Sequence, residues 1–227
     1  MKVPAEVPGM ILPETTLFPG MTLPLRIFEP RYRQMLADVL EGGRMFAVAL
    51  RNPKAKGETP MSIGGLGLVS TAVRQLDGTS LLTLEGLARI EFIRTVRLKP
   101  YRVEAIRALA SPPAEEGTDA IARKVRALVR KRVKAGFDLG LPTPDDPEKA
   151  KQMQQMQALA NASFEQFGKH LSRVKSPEQL ADLVASTLIG DPLARQMLLA
   201  TPQVDERLRR LHQLLLVTDF PASPPES

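Results

Sequence analysis

The chain has 227 residues, 43% apolar and 25% charged, with a formal net charge of +6. That is an ordinary globular balance, with room for one large or two small domains, and it excludes a chain disordered throughout. Cysteine is absent and histidine occurs twice, which excludes a disulfide scaffold, a thiol nucleophile, an iron–sulfur cluster, a Cys-based zinc site and a three-His metal site.

Met1 to Met10 contains Pro4 and Pro8 and no apolar run, so no signal peptide is expected. No stretch reaches the ~20 apolar residues of a membrane span, so a soluble, cytoplasmic protein without membrane contact is expected. Leu23, Leu25 and Ile27 alternate with period two and read as a strand, and Pro24 confines that strand to a sheet edge or a bulge. Pro30 suits the first turn of a helix whose apolar stripe is Tyr32, Met35, Leu36, Val39 and Leu40, stopped by Gly42-Gly43. Met45–Leu50 reads as a buried strand and Asn52–Pro60 as a polar loop. Ile63–Leu76 reads as a strand bent at Gly64, Gly65 and Gly67. Asp77-Gly78 signals a type I′ hairpin turn into Ser80–Leu84. Leu87–Val96 and Tyr101–Leu109 complete about six strands, which points to a small, curved, partly closed sheet.

Ser111-Pro112-Pro113-Ala114-Glu115-Glu116-Gly117 then changes the pattern from strand to helix. The expected organisation is α+β: a β-domain over 1–110, a linker at 111–117, a helical subdomain over 118–220 and a flexible tail at 221–227. Thr118 is positioned to cap a basic amphipathic helix ending at Gly136. Pro147 starts a long helix with Met153, Met156, Ala160, Phe164, Phe167, Leu171 and Val174 on one stripe. Ser176-Pro177, Asp191-Pro192 and Thr201-Pro202 are three further cap-plus-proline starts.

The charge is uneven. Residues 1–110 hold 15 basic and 10 acidic groups, and residues 111–227 hold 16 and 15. A basic N-terminal half admits nucleic acid as an alternative partner. Aromatics make up only 4%, which leaves few stacking platforms for single strands.

No catalytic, cofactor-binding or metal-ligating set emerges. There is no phosphate-cradling GxxxxGK[ST] loop, Gly65-Leu66-Gly67 lacks the third glycine of a dinucleotide fingerprint, and HExxH and GxSxG are absent. Glu115-Glu116 and Asp145-Asp146 read as solvated loop carboxylates. A binding module rather than an enzyme is expected, with no cofactor.

One segment is more specific. Leu12-Pro13-Glu14-Thr15-Thr16-Leu17-Phe18-Pro19-Gly20, followed by Pro24-Leu25-Arg26-Ile27-Phe28-Glu29-Pro30-Arg31-Tyr32, resembles the opening of the Lon protease N-terminal, substrate-binding domain. Asp77-Gly78 and Glu85-Gly86-Leu87-Ala88-Arg89 are similar to that family's turn and following hairpin. Leu180–Ala185, Arg195–Leu199 and Arg207-Leu208 are similar to its helical part. The resemblance spans roughly residues 9–217. It implies a PUA-like β-domain followed by helices, and a non-catalytic module, an adaptor or holdase, that recognises exposed apolar segments of unfolded or degradation-prone proteins. A protease or chaperone is the further partner it implies. The ATPase and peptidase motifs of the family are not in this sequence.

On that reading Phe28 and Tyr32 anchor the first helix on the sheet, Glu29 and Arg31 cap or pair, and Arg89 pairs across strands with Glu85 or Glu91. Met10, Met21 and Met61, whose unbranched thioethers adapt to varied partners, and the sheet edge at Pro24 are the candidate protein-binding residues.

Overall fold

The computed structural model describes residues 3–136 and 146–217; the expected tail at 221–227 lies outside them. The elements in order are β1 (Glu6–Leu12), β2 (Thr22–Ile27), α1 (Pro30–Glu41), β3 (Met45–Leu50), β4 (Ile63–Arg74), β5 (Ser80–Arg97), β6 (Val103–Ala108), α2 (Thr118–Ala135), α3 (Pro147–Arg173), α4 (Pro177–Leu188), α5 (Pro192–Leu199) and α6 (Val204–Val217). The class is α+β, as expected.

The strands form one sheet in the order β2-β5-β4-β3-β1-β6, and β6 also pairs with β5. Strands β1, β3, β4, β5 and β6 therefore close on themselves, and β2 is left as an edge bonded, among the described residues, only to the first half of β5. The closure is possible because β5 is 18 residues long, enough to serve β2 with one end and β6 with the other. Two expected strands, Ser80–Leu84 and Leu87–Val96, are thus one. The strand β1 was not expected; Pro4, Pro8 and Gly9 interrupt its pattern, yet it runs parallel to β3.

The stripe of α1 is buried as expected. Tyr32, Met35, Leu36 and Val39 join Met10, Leu17, Ile27, Phe46, Val48, Leu82 and Leu84 in one apolar core. Each such side chain contributes about 1.5–3 kcal/mol on burial. The glycines of β4 and β5 serve this core less as bends than as clearance. A Cβ on Gly65 would lie 2.1 Å from the Leu17 carbonyl oxygen, and one on Gly86 would lie 2.0 Å from that of Phe18.

The β4–β5 turn is not type I′, which needs positive φ at two successive residues. Gly78 has φ 77°, while Asp77 is not among the positive-φ residues. The amide of Gly78 donates to the carbonyl of Gln75, and that of Gln75 to Thr79, the pattern of a type I turn closed by a glycine bulge. The Asp77 carboxylate accepts from the backbone and hydroxyl of Thr79, which is why it prefers this turn.

Grouped by contacts, the chain forms two units: 1–113 with 182–203, and 114–181 with 204–227. This differs from the expected single helical subdomain over 118–220. Hydrogen bonds within the first unit give the reason. Arg89 bonds Asp182 and, at 3.1 Å, the Leu199 carbonyl; Gln196 donates to the Ile63 carbonyl at 2.8 Å; and Arg195 donates to that of Glu14 at 2.7 Å.

In the second unit, Val125 and Val129 of α2, Phe164 and Leu171 of α3, and Leu208, Leu211 and Leu215 of α6 are buried. Thr118 is the first residue of α2 rather than its cap, and its hydroxyl donates back to Glu115. The expected solvated basic face of α2 is partly structural. Arg126 donates to the carbonyls of Leu171 and Val174, closing the end of α3, and Arg132 donates to that of Leu215. Asp146 and Asp191 cap α3 and α5, and Pro147 and Pro192 follow them in the first turn. In the first unit the Thr201 hydroxyl instead donates to Met197.

Candidate functional site

The first half of β5 carries two different faces. In register, Leu25, Leu82 and Ala72 lie on one face and Arg26, Leu81 and Val73 on the other. The first row packs on the core. The second faces outward, with Leu81 50% and Val73 58% exposed. Leu76 in the adjoining turn is fully exposed, and Phe28, just past β2, is 63% exposed. Phe28 therefore does not anchor α1; Tyr32 alone of the two does so. Next to this apolar row runs β2, with no strand paired on its outer side among the described residues. Its backbone groups there are of the kind that accept an added strand.

Pro24 lies in the middle of this edge strand, exposed and opposite Thr83. Met21 is half-buried at its start, where the turn Phe18–Gly20 closes through the Met21 amide on the Phe18 carbonyl. Met10 is 2% exposed and belongs to the core. Its position in β1 explains this: the strand lies between β3 and β6, Gly9, Met10 and Ile11 are all buried, and a side chain so enclosed is not available to a ligand. Met61 is half-buried and lies on a different surface, a groove of about 540 Å³ shared with Phe92, Ile93, Leu98, Arg94 and Arg102. The four expected residues are thus not one site. Pro24 and Met21 mark the edge, Met61 marks the groove, and Met10 marks neither.

Two ion-pair systems stabilise the surroundings. Arg89 and Asp182 are each 2% exposed and paired, and the Arg89 guanidinium lies 5.9 Å from the centre of the Phe18 ring. The expected cross-strand partner Glu91 pairs with Arg107 instead. Arg31 pairs with Glu29 at 2.7 Å and grips both carboxylate oxygens of Glu58. That bond, with the positive charges of Arg102 and Arg51, holds the Glu58 carboxyl below its ordinary range. Glu29 therefore pairs rather than caps. The Tyr101 hydroxyl donates to Asp38 at 2.5 Å, and burial with this carboxylate raises its pKa.

Among the described residues no group of three or more His, Cys, Asp or Glu could hold a metal ion. No described helix is long and apolar enough to cross a membrane.

The family model that matches the chain, over residues 6–217, is that of the ATP-dependent protease La (LON) substrate-binding domain. The Lon protease of Roseiflexus castenholzii is 26% identical over 216 residues, covering 94% of this chain and 24% of the relative. Lon protease 2 of Herpetosiphon aurantiacus is 29% identical, covering 92% and 23%. The chain thus spans about a quarter of the length of these curated relatives. Among solved structures, the N-terminal domain of Mycobacterium avium complex Lon protease superposes with a TM-score of 0.68 at 17% identity, over 93% of this chain and 98% of that one. The Lon N-terminal domain protein from Xanthomonas campestris gives 0.57 at 19% identity, over 94% and 99%. At these identities the two structures establish the fold.

Proposed function

The chain belongs to the substrate-binding domain family of the ATP-dependent protease La (LON), and from that premise we propose that it holds exposed apolar segments of unfolded or degradation-prone proteins. The bound segment lies along β2 and against the outward row of Leu81 and Val73. The role is non-catalytic, that of an adaptor or holdase working beside a protease or chaperone.

One observation supports this reading above the others: a strand edge unpaired among the described residues lies beside exposed Val73, Leu76, Leu81 and Phe28. An edge supplies main-chain hydrogen bonds to any sequence, and the apolar row favours segments that a folded protein would bury. Natural sheets usually blunt such an edge; here Pro24 and Arg26 limit self-pairing without covering the apolar row.

The test is binding of a reduced, unfolded model protein to the purified chain at low and high salt, with the variant Val73→Ser/Leu81→Ser beside it. Binding that survives salt and falls at least tenfold in the variant supports the reading. Absent binding at micromolar concentration, or binding unchanged in the variant, overturns it. A duplex or single-stranded oligonucleotide runs in parallel. Oligonucleotide binding that collapses with salt, by about −0.9 per phosphate on a duplex, would transfer the function to the nucleic-acid alternative.

A further inference from the structure

The groove that holds Met61 differs from the edge in its charge. Its lining comes from the 51–62 segment and the 92–104 hairpin of β5 and β6; the stretches 51–62 and 93–104 together hold seven basic and two acidic residues, of which Arg94, Arg102 and Glu104 line the groove itself. Both acids are engaged. Glu58 is gripped by Arg31, and Glu104 is buried against Arg102 at 2.6 Å and Thr95 at 3.0 Å.

The cations divide by role. Arg102 is fixed by Glu104, Thr95 and the Glu58 carbonyl, so it shapes the groove. Among the described residues Arg94 has only a 4.0 Å approach to Glu6, with the two side chains 66% and 49% exposed; such a pair contributes little and yields readily to a better partner. Lys54, Lys56 and Lys99 are exposed on the flanking stretches, outside the lining itself. In the lining with Arg94 and Arg102 are Ile93 and Leu98, 52% and 61% exposed, and Met61.

We propose that this groove binds a peptide segment in which apolar residues are flanked by aspartate or glutamate. Arg94 and Arg102 beside Ile93, Leu98 and Met61, with Lys99 next to Leu98 in the chain, match the mixed acidic and apolar character of the ligand, and charge complementarity sets its orientation and speeds encounter. Nucleic acid fits less well. The exposed apolar groups are aliphatic, Phe92 in the lining is partly buried against a core cluster, and the nearby Tyr101 is 5% exposed and covered by Arg97 at 5.1 Å, so no well-exposed ring awaits a base. The inference rests on the protein-binding reading for the class of ligand, but not on the β2 edge.

The experiment uses the full chain and two fluorescein-labelled dodecapeptides with the same apolar core, one flanked by Asp and Glu, the other by Lys. A single-stranded dodecanucleotide is the third probe. The acidic peptide is expected to bind at least tenfold tighter than the basic one, and Arg94→Glu/Lys99→Glu to remove that preference. Leu98→Ser weakens the acidic peptide severalfold, while Val73→Ser/Leu81→Ser leaves it unchanged. Thermal melts within a few degrees of the parent confirm that these surface variants fold. Equal binding of the two peptides, or a preference that survives the charge reversal, overturns the proposal. So does an oligonucleotide that binds more tightly than the acidic peptide and depends on the same two cations. Loss of acidic-peptide binding in Val73→Ser/Leu81→Ser alone would place the peptide on the edge and also overturn it.

Discussion

The two halves of β5 make opposite surfaces from one strand. The first half, paired with β2 and β4, shows an outward row of Leu81 and Val73 beside an open edge. The second half, paired with β6, closes the barrel and carries Ile93 and Val96 among Arg94 and Arg97, with Leu98 and Lys99 just past its end. Both halves expose aliphatic side chains. What separates them is whether the backbone is already paired and whether cations stand between the apolar groups. The first half offers hydrogen bonds indifferent to sequence; the second offers charge selection.

Between the halves sits Arg89, and its loss would break the comparison most severely. Arg89→Met removes the guanidinium that pairs with the buried Asp182 carboxylate, and urea unfolding should show a loss of about 3–5 kcal/mol. Arg89→Met/Asp182→Leu should recover a large part of that loss, because the buried carboxylate goes together with its guanidinium. A double variant as unstable as the single one would mean that packing, not charge, is at stake.

A smaller loss is expected at the join between the halves. Gly86→Ala forces a methyl to 2.0 Å from the Phe18 carbonyl oxygen, so the Phe18–Gly20 turn must move. The expected cost is about 2 kcal/mol by the same unfolding measurement. Because that turn leads into β2, client binding at the edge should fall with it, while acidic-peptide binding at the groove should not.

Val73→Ser/Leu81→Ser sharpens the comparison without disturbing stability. Both side chains are half-exposed or more, so unfolding free energy should move by no more than about 0.5 kcal/mol. A stability loss well above that would identify the row as part of the core.

The smallest effect concerns acid. The Glu58 carboxyl titrates below its ordinary value of 4.5, chiefly because Arg31 donates to it. The unfolded chain therefore binds the proton first, and stability falls with pH in that window. The contribution is fully present above about pH 4.5 and lost as pH falls through the lower folded-state value. The pair is partly exposed, so thermal melts between pH 6 and 3 should reveal a shift of only about a degree or two, absent in Glu58→Gln.

The local part of this structure was legible in the sequence. Period two at Leu23, Leu25 and Ile27 with an embedded proline led to an edge strand, and the α1 stripe and the Asp191 cap were equally readable. The sequence hid what depends on distant partners. Arg89 has Glu85 and Glu91 as near neighbours but takes Asp182, 93 residues away. Glu85-Gly86 looks like a break between strands, yet Gly86 is needed only because Phe18 passes over it. Met10 looked like an adaptable surface residue because Pro4, Pro8 and Gly9 disguised the strand that buries it. The basic excess of the N-terminal half was visible in composition; its gathering of the 51–62 loop against the 93–104 hairpin was not.

The most direct test of the central claim is amide hydrogen exchange with and without an unfolded client. The account predicts slower exchange across Thr22–Ile27 and around Val73 and Leu81 when the client is added, with β1 and β3 unchanged. Client binding that protects neither β2 nor the β4–β5 hairpin would contradict it.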